Sequence, residues 1–338
     1  MYVMVSPIMS YAELSLPLPC APALWEAPNA DQWESLLSST SQPSVQQPPT
    51  VTDYLIDAGS FATQSSHFDV RLANDAFLAC AWSLAWEYMQ LSSLQRAKPG
   101  RWNAFLLSSR LEEILKLLDQ FRISLDPHQT PRFSEVRMRL EIVLLHLHTP
   151  FEDIQIFAGI EGPDQARAAY PAVLEWAKTE TARRAICHAG QALRFAGSAS
   201  KSTLQGLFSV LIYQASLVLW VYALFSGEKG ESAASSNRAA DAVWLDGDDE
   251  LALQRFGHFG MGTPHLRGST ASPGGTVAAT SCSLRDPESL LGTVIGILRD
   301  NHEGLPKPHL VERLLQLMEA LQRSSAGMME FLGSCLGE

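Results

Sequence analysis

The sequence predicts an all-α protein, a large irregular helical domain with long polar loops. Three observations carry this. Apolar residues recur at three- and four-residue steps in nearly every long segment. No set of short alternating runs suggests a sheet. The 46% hydrophobic content of the 338 residues suits a globular chain with a proper core.

Taken in order, residues 1–37 read as an N-terminal piece, 38–52 as a linker rich in Ser, Gln and Pro, and 53–334 as the helical body. The first long helix is expected near Val70 to Arg96, with Leu72, Phe77, Leu78, Trp82, Leu84 and Trp86 facing inward. The clearest helix lies near Trp102 to Ser124. There Leu111, Ile114, Leu115, Leu118 and Phe121 share one face, while Glu112, Glu113, Lys116 and Asp119 fall elsewhere on the wheel. The same periodicity predicts helices over Phe133 to His148, Asp164 to Ala177, Thr181 to Phe195, Asn237 to Phe256 and Pro308 to Leu332. Asp286-Pro287-Glu288 reads as a helix start, a capping side chain before a proline that needs no helical N–H, and Gly162-Pro163-Asp164 reads the same way. Small, polar and Gly-rich composition predicts mobile surface loops at about 226–237 and 257–283. The chain contains no internal repeat.

Charge and cysteine usage narrow the function classes. The 25 Lys and Arg against 36 Asp and Glu give a formal charge of -11, so the surface as a whole repels a phosphate backbone. Cys20, Cys80, Cys187, Cys282 and Cys335 are widely spaced, odd in number and form no Cys-x-x-Cys pair. That pattern predicts reduced thiols inside a cell, with neither a zinc ribbon nor a disulfide framework. Met1 to Met9 has no basic n-region and no apolar h-region long enough for a secretory signal. The stretch Ser202 to Gly227 is uncharged, and its apolar run Leu207 to Phe225 is long enough to span a bilayer core of about 30 Å.

No strong catalytic signature emerges: there is no phosphate-binding P-loop, no Gly-x-Ser-x-Gly elbow and no His-Glu-x-x-His helix. Gly257-His-Phe-Gly260-Met-Gly262 imitates a nucleotide-binding glycine loop but lacks the preceding apolar strand and the properly placed third glycine. His146, His148, Glu152 and Asp153 form the most metal-like group. Helical residues two apart point to nearly opposite sides, however, and Pro150 separates the imidazoles from the acids. Cys187 and His188 suggest a thiolate and its base, yet adjacent helical side chains diverge and such a cysteine is usually a small buried hydrophobe. Trp82, Trp86, Trp176, Trp220 and Trp244 read as core anchors rather than a ligand pocket. Arg183-Arg184 is the nearest approach to a basic cluster and reads as a solvated helix face. No catalytic, cofactor-binding or metal residue is assigned, and the chain reads as a non-enzyme.

The blocks Ser6 to Pro19, Leu24 to Pro28 with Trp33, His146 to Gly159, Ala189 to Arg194, Ala215 to Tyr222, Leu284 to Leu291, Ile297 to Asn301 and Leu310 to Glu312 together resemble the fungal-specific transcription factor domain. More narrowly, they resemble the branch attached to classical zinc fingers with two Cys and two His ligands. The resemblance implies the regulatory part of a nuclear factor acting on RNA polymerase II-type genes, with residues 1–37 an N-terminal remnant of that regulatory domain. It implies protein partners, either coregulators or a second copy, and DNA contact only through a zinc-finger module missing from this chain. Zinc would belong to that module, with no cofactor and no membrane here. It also implies that Leu217 to Trp220 lies in a core helix, which Gln205, Gln214 and Ser216 favour over a membrane span. The residues themselves leave open a helical small-molecule binder or enzyme whose site is assembled from distant positions.

Overall fold

The computed structural model describes residues 15–40, 49–61, 68–98, 103–125, 134–226, 242–268 and 280–335. Helix dominates throughout, as the periodicity predicts. The chain divides into two units, Met1–Val143 and Leu144–Glu338.

In the first unit an extended stretch, held by bridges Pro17 to Thr50 and Cys20 to Phe68, leads into α1 (Pro22–Trp25) and α2 (Ala30–Thr40). α3 (Val51–Ile56) opens with a capping box. Thr50 Oγ1 accepts from the Asp53 N–H at 3.1 Å, and the Asp53 carboxylate accepts from the Thr50 N–H at 2.9 Å. The Thr50 N–H, and then the Thr50 hydroxyl, which donates to the same carboxylate at 2.7 Å, hold the Asp53 carboxyl below its usual range. After α4 (Ala58–Phe61), α5 (Val70–Ala97) is capped by Asp69, whose carboxylate accepts from the Arg71 and Leu72 N–H groups. α6 (Ala104–Ser124) is capped in the same way by Asn103.

An aromatic seam joins α3, α5 and α6. Tyr54 meets Phe68 and Phe77 edge-on, and Phe77 stacks on Phe121 with ring centroids 4.0 Å apart. The Tyr54 hydroxyl donates to buried Asn74 Oδ1 at 2.7 Å, which satisfies the polar end of the ring. The buried face of α5 differs from the predicted one. Ala73, Ala81 and Ala85 lie inside with Phe77, Leu78 and Leu84, while Leu72 is exposed and Trp82 and Trp86 are half-buried. Small residues line the contact because they let neighbouring elements approach closely. Trp102 lies outside the described residues. α7 (Ser134–Leu147) is tied to this unit by ion pairs from Arg139 to Asp75 and from Arg122 to buried Glu141.

The second unit is organised around one helix. After α8 (Phe151–Phe157), α9 (Pro163–Ala177) and α10 (Glu180–Gly197) comes α11 (Leu207–Ser226), then β1 (Ala242–Trp244), α12 (Glu250–Phe259), β2 (Thr263–Gly268), β3 (Thr280–Ser283), α13 (Pro287–Asn301) and α14 (His309–Cys335). α11 is apolar all round, and such a helix must be covered on every side; it packs against α8, α9, α10, α13 and α14. Of the 19 residues Leu207–Phe225, long and apolar enough to cross a membrane, most lie inside the fold. Trp220 is fully buried there, its indole N–H donating to Ser325 Oγ at 2.9 Å.

Both predicted helix starts stand where expected, each with a proline in its first turn, but only the first has a side-chain cap. The Asp286 carboxylate accepts from the Glu288 and Ser289 N–H groups ahead of Pro287, and Gly162 precedes Pro163 with a φ of 98° that favours glycine. Two expectations are corrected. The segment Asn237 to Phe256 is not one helix: β1 is followed by a turn, and α12 starts only at Glu250. Asp249 stops the helix from extending backwards, because its carboxylate caps the Ala252 N–H at 3.0 Å. Nor is 257–283 a loop throughout, since β2 pairs in parallel with β1 and antiparallel with β3. These strands are too short and polar to show alternation, and their order comes from long-range pairing. Residues 269–279, and 227–237 of the other expected loop, lie outside the described residues.

Candidate functional site

The residues that sequence reasoning singled out converge on α10. This helix buries a face of small residues, Ala182, Ala185, Ala189, Ala192 and Ala196, interleaved with Ile186 and Leu193. Its start is capped by Thr179, whose hydroxyl accepts from the Ala182 N–H at 3.1 Å. Against it lie α12 and the turn after β1, and the contact needs a missing side chain. A Cβ on Gly190 would sit 2.4 Å from Leu245 Cβ and 2.6 Å from Leu245 O.

Beside that glycine, polar side chains read the turn through its backbone. Gln191 Nε2 donates to Leu245 O at 2.7 Å and to Gly247 O at 2.8 Å, and Arg194 Nη1 donates to Gly247 O at 3.0 Å. The Asp246 carboxylate accepts from the Arg267 N–H at 3.1 Å, linking the turn to β2. Burial raises the Asp246 carboxyl above its usual range, opposed by that hydrogen bond and by the charges of Arg267 and Arg194. The Arg267 guanidinium lies over the Trp244 ring at 5.7 Å, and Trp244 contacts His265 at 5.6 Å.

At the other end of α10 the arginine pair is engaged rather than a bare solvated face. Arg183 Nη2 donates to His258 O at 2.9 Å, Arg184 lies 3.3 Å from His258 Nε2, and His258 Nδ1 lies 3.0 Å from Glu180 Oε1. The glycine series is the end of α12: Gly257 is in its last turn, and Gly260, with φ 68°, caps it in the left-handed conformation. A helix C-terminus presents carbonyls and a negative dipole end, the wrong polarity for phosphate. Cys187 is buried, and its thiol donates to Leu253 O at 3.7 Å, away from His188. His188 instead stacks on His148, with centroids 5.6 Å apart and planes within 4°.

His146 and His148 are both buried, whereas Glu152 is exposed and Asp153 half-exposed, so the four do not converge. Among the described residues no three His, Cys, Asp or Glu side chains are grouped to hold a metal. Of the tryptophans, Trp176 and Trp220 are core anchors; Trp244 is half-buried at the sheet edge. The Trp176 indole N–H donates to His148 O at 3.0 Å. Burial first, then the charges of His188 and Arg184, push the His148 imidazole down to about 2 from its usual 6.5. The folded chain therefore refuses a proton that the unfolded chain accepts near pH 6.5. Stability is expected to be level above that pH and to fall as pH drops from 6.5 toward 2. Urea midpoints between pH 4.5 and 7.5 should slope less in His148→Gln than in the wild type; equal slopes would assign the effect elsewhere.

Sequence reasoning missed the roles of Gln191, Arg194, Asp246, His258 and Arg267. Gln191 and Arg194 were visible as a block, but their partners lie more than 50 positions away and are backbone carbonyls. No pattern of residue types encodes such a partner.

No known family profile and no solved structure matches the chain. It is 27% identical over 284 residues to "Transcription factor 1" from Elsinoe fawcettii. This chain is a distant relative of that fungal protein. The alignment covers 77% of this chain and 29% of the relative, so the chain spans less than a third of the relative's length. The α10 block Ala189 to Arg194, Trp220 in the α11 block and the Asp286 cap in the α13 block all belong to the second unit.

Proposed function

We propose that this chain is a regulatory, non-catalytic part of a fungal transcription factor of the two-Cys two-His zinc-finger branch. DNA contact would be made by a finger module outside this chain, the site of action would be the nucleus, and the output would pass through protein partners. The observation that carries the reading is the similarity to "Transcription factor 1" across 77% of the chain. The α10 site supports it in a second way. Gln191 and Arg194 donate to backbone carbonyls of the turn after β1, an arrangement that fixes a turn.

Two measurements test the reading. Fused to a heterologous DNA-binding module, the chain is expected to raise or lower a linked reporter several-fold relative to the module alone; an unchanged reporter would defeat the proposal. Alone, the purified chain is expected to show no sequence selectivity for duplex DNA at near-physiological salt. Its net charge is -11, and Arg183 and Arg184 are engaged with His258. Submicromolar selection of one sequence from a randomised pool, lost on charge reversal of those arginines, would contradict this.

A further inference from the structure

Helix α2 carries its apolar side chains on one face and leaves large ones in solvent. Ala30, Trp33, Leu36 and Leu37 recur at three- and four-residue steps, filling roughly a third of the helical wheel. Asp31 and Glu34 share the helix, and both are exposed. Trp33 is 45% exposed, and Trp25 at the end of α1 is 71% exposed. A helix so patterned ordinarily turns its apolar face inward, and exposed aromatic surface of this kind marks interaction sites.

The chain leading into the element is nevertheless anchored. Asn29 Oδ1 accepts from the Gln32 N–H at 2.9 Å at the start of α2. Leu18 and Leu24, just upstream, are buried, and the Pro17–Thr50 and Cys20–Phe68 bridges fix the approach. Among the described residues α1 is the main neighbour of α2.

Charge selects the occupant. Residues 1–70 contain seven Asp and Glu and no Lys or Arg, so this stretch holds seven of the chain's eleven net negative charges. An anionic bilayer surface and a nucleic acid would both be repelled, and a second copy of the same element presents the same sign. What remains complementary is a protein groove with an apolar floor and a basic rim.

We propose that α1–α2 is a docking element that inserts Trp25 and Trp33 into an apolar groove bordered by Lys and Arg on another protein. The two indoles are the anchors, because large rigid rings in desolvated pockets dominate interface energetics. The helix supplies the helix-in-groove geometry, and Glu26, Asp31 and Glu34 set register and encounter rate against the basic rim. The proposal deepens the regulatory reading above by naming the chemistry of its protein partner.

A benzophenone amino acid in place of exposed Gln32 in the otherwise intact chain tests it by photocrosslinking in cells, followed by mass spectrometry of the linked peptides. The expected product is a different protein, linked at an apolar surface bordered by Lys and Arg. Yield is expected to fall at least about tenfold in Trp25→Ala/Trp33→Ala, and about tenfold in Asp31→Lys/Glu34→Lys. Both double variants change exposed side chains and should keep the wild-type melting midpoint. Crosslinks to lipid, to nucleic acid or to a second copy of this chain would overturn the proposal, as would yield that ignores the charge reversal. The reporter fusion separates the two readings. A silent reporter with intact charge-dependent crosslinks fails only the transcriptional reading, and an active reporter without them fails only the docking element.

Discussion

Replacing Trp220 by Ala is expected to cost about 3–5 kcal/mol, the range for removing a fully buried large aromatic side chain. The ring is completely buried in α11, near Phe157 at 5.9 Å, with its N–H on Ser325 Oγ. Ser325 also donates to Leu321 O at 2.8 Å, so its hydroxyl keeps a partner when the indole is lost, and the cavity dominates the cost. Among the described residues α11 packs against α8, α9, α10, α13 and α14, which limits how far any one of them can collapse into the void. Trp220→Phe should lose less, since it keeps an aromatic ring and forfeits one hydrogen bond and part of the volume. Urea unfolding read by circular dichroism measures both; a loss below about 1 kcal/mol for the Ala variant would mean the site is not packed as described.

Gly190→Ala should destabilise the second unit, although alanine is the better helix former. In an open helix interior the exchange gains about 1 kcal/mol. Here the new Cβ would lie 2.4 Å from Leu245 Cβ and 2.6 Å from Leu245 O. Leu245 cannot yield cheaply: it is fully buried, its N–H donates to His265 O at 2.9 Å, and its carbonyl accepts from Gln191. Overpacking of this kind costs about 1–3 kcal/mol. Gly296→Ala in α13 is the matched control, because nothing lies within 4 Å of its Cβ position. It should instead stabilise, by up to about 1 kcal/mol. Thermal melts of the two variants moving in the same direction would contradict the contact between α10 and the turn after β1.

The legible parts of the fold were those that local chemistry writes. The inward face of α6 kept Ile114, Leu118 and Phe121, with Leu111 and Leu115 at its edge. The Asp286 start was readable because a side-chain cap acts on residues two or three positions away, and the Gly162 start because Pro163 needs no helical N–H. The face of α5 was misjudged because periodicity registers large apolar residues and passes over the alanines that line its buried side. At the candidate site the arginine pair and the glycine series were visible as residue types. Their use by His258 and by the end of α12 was not, since those partners lie some 75 positions away or are conformations rather than side chains.

By itself the sequence determined that the chain is helical, that its surface is acidic, and that most of Leu207 to Phe225 is hidden from water. Those are properties of apolar spacing and net charge, summed along the chain. Only the tertiary structure decided what hides that helix, which tryptophans are inside and which stand in solvent, and that residues 242–244, 263–268 and 280–283 pair as strands. Those outcomes depend on contacts between residues far apart in the chain, where a glycine against a leucine or a glutamine on two carbonyls leaves no periodic trace.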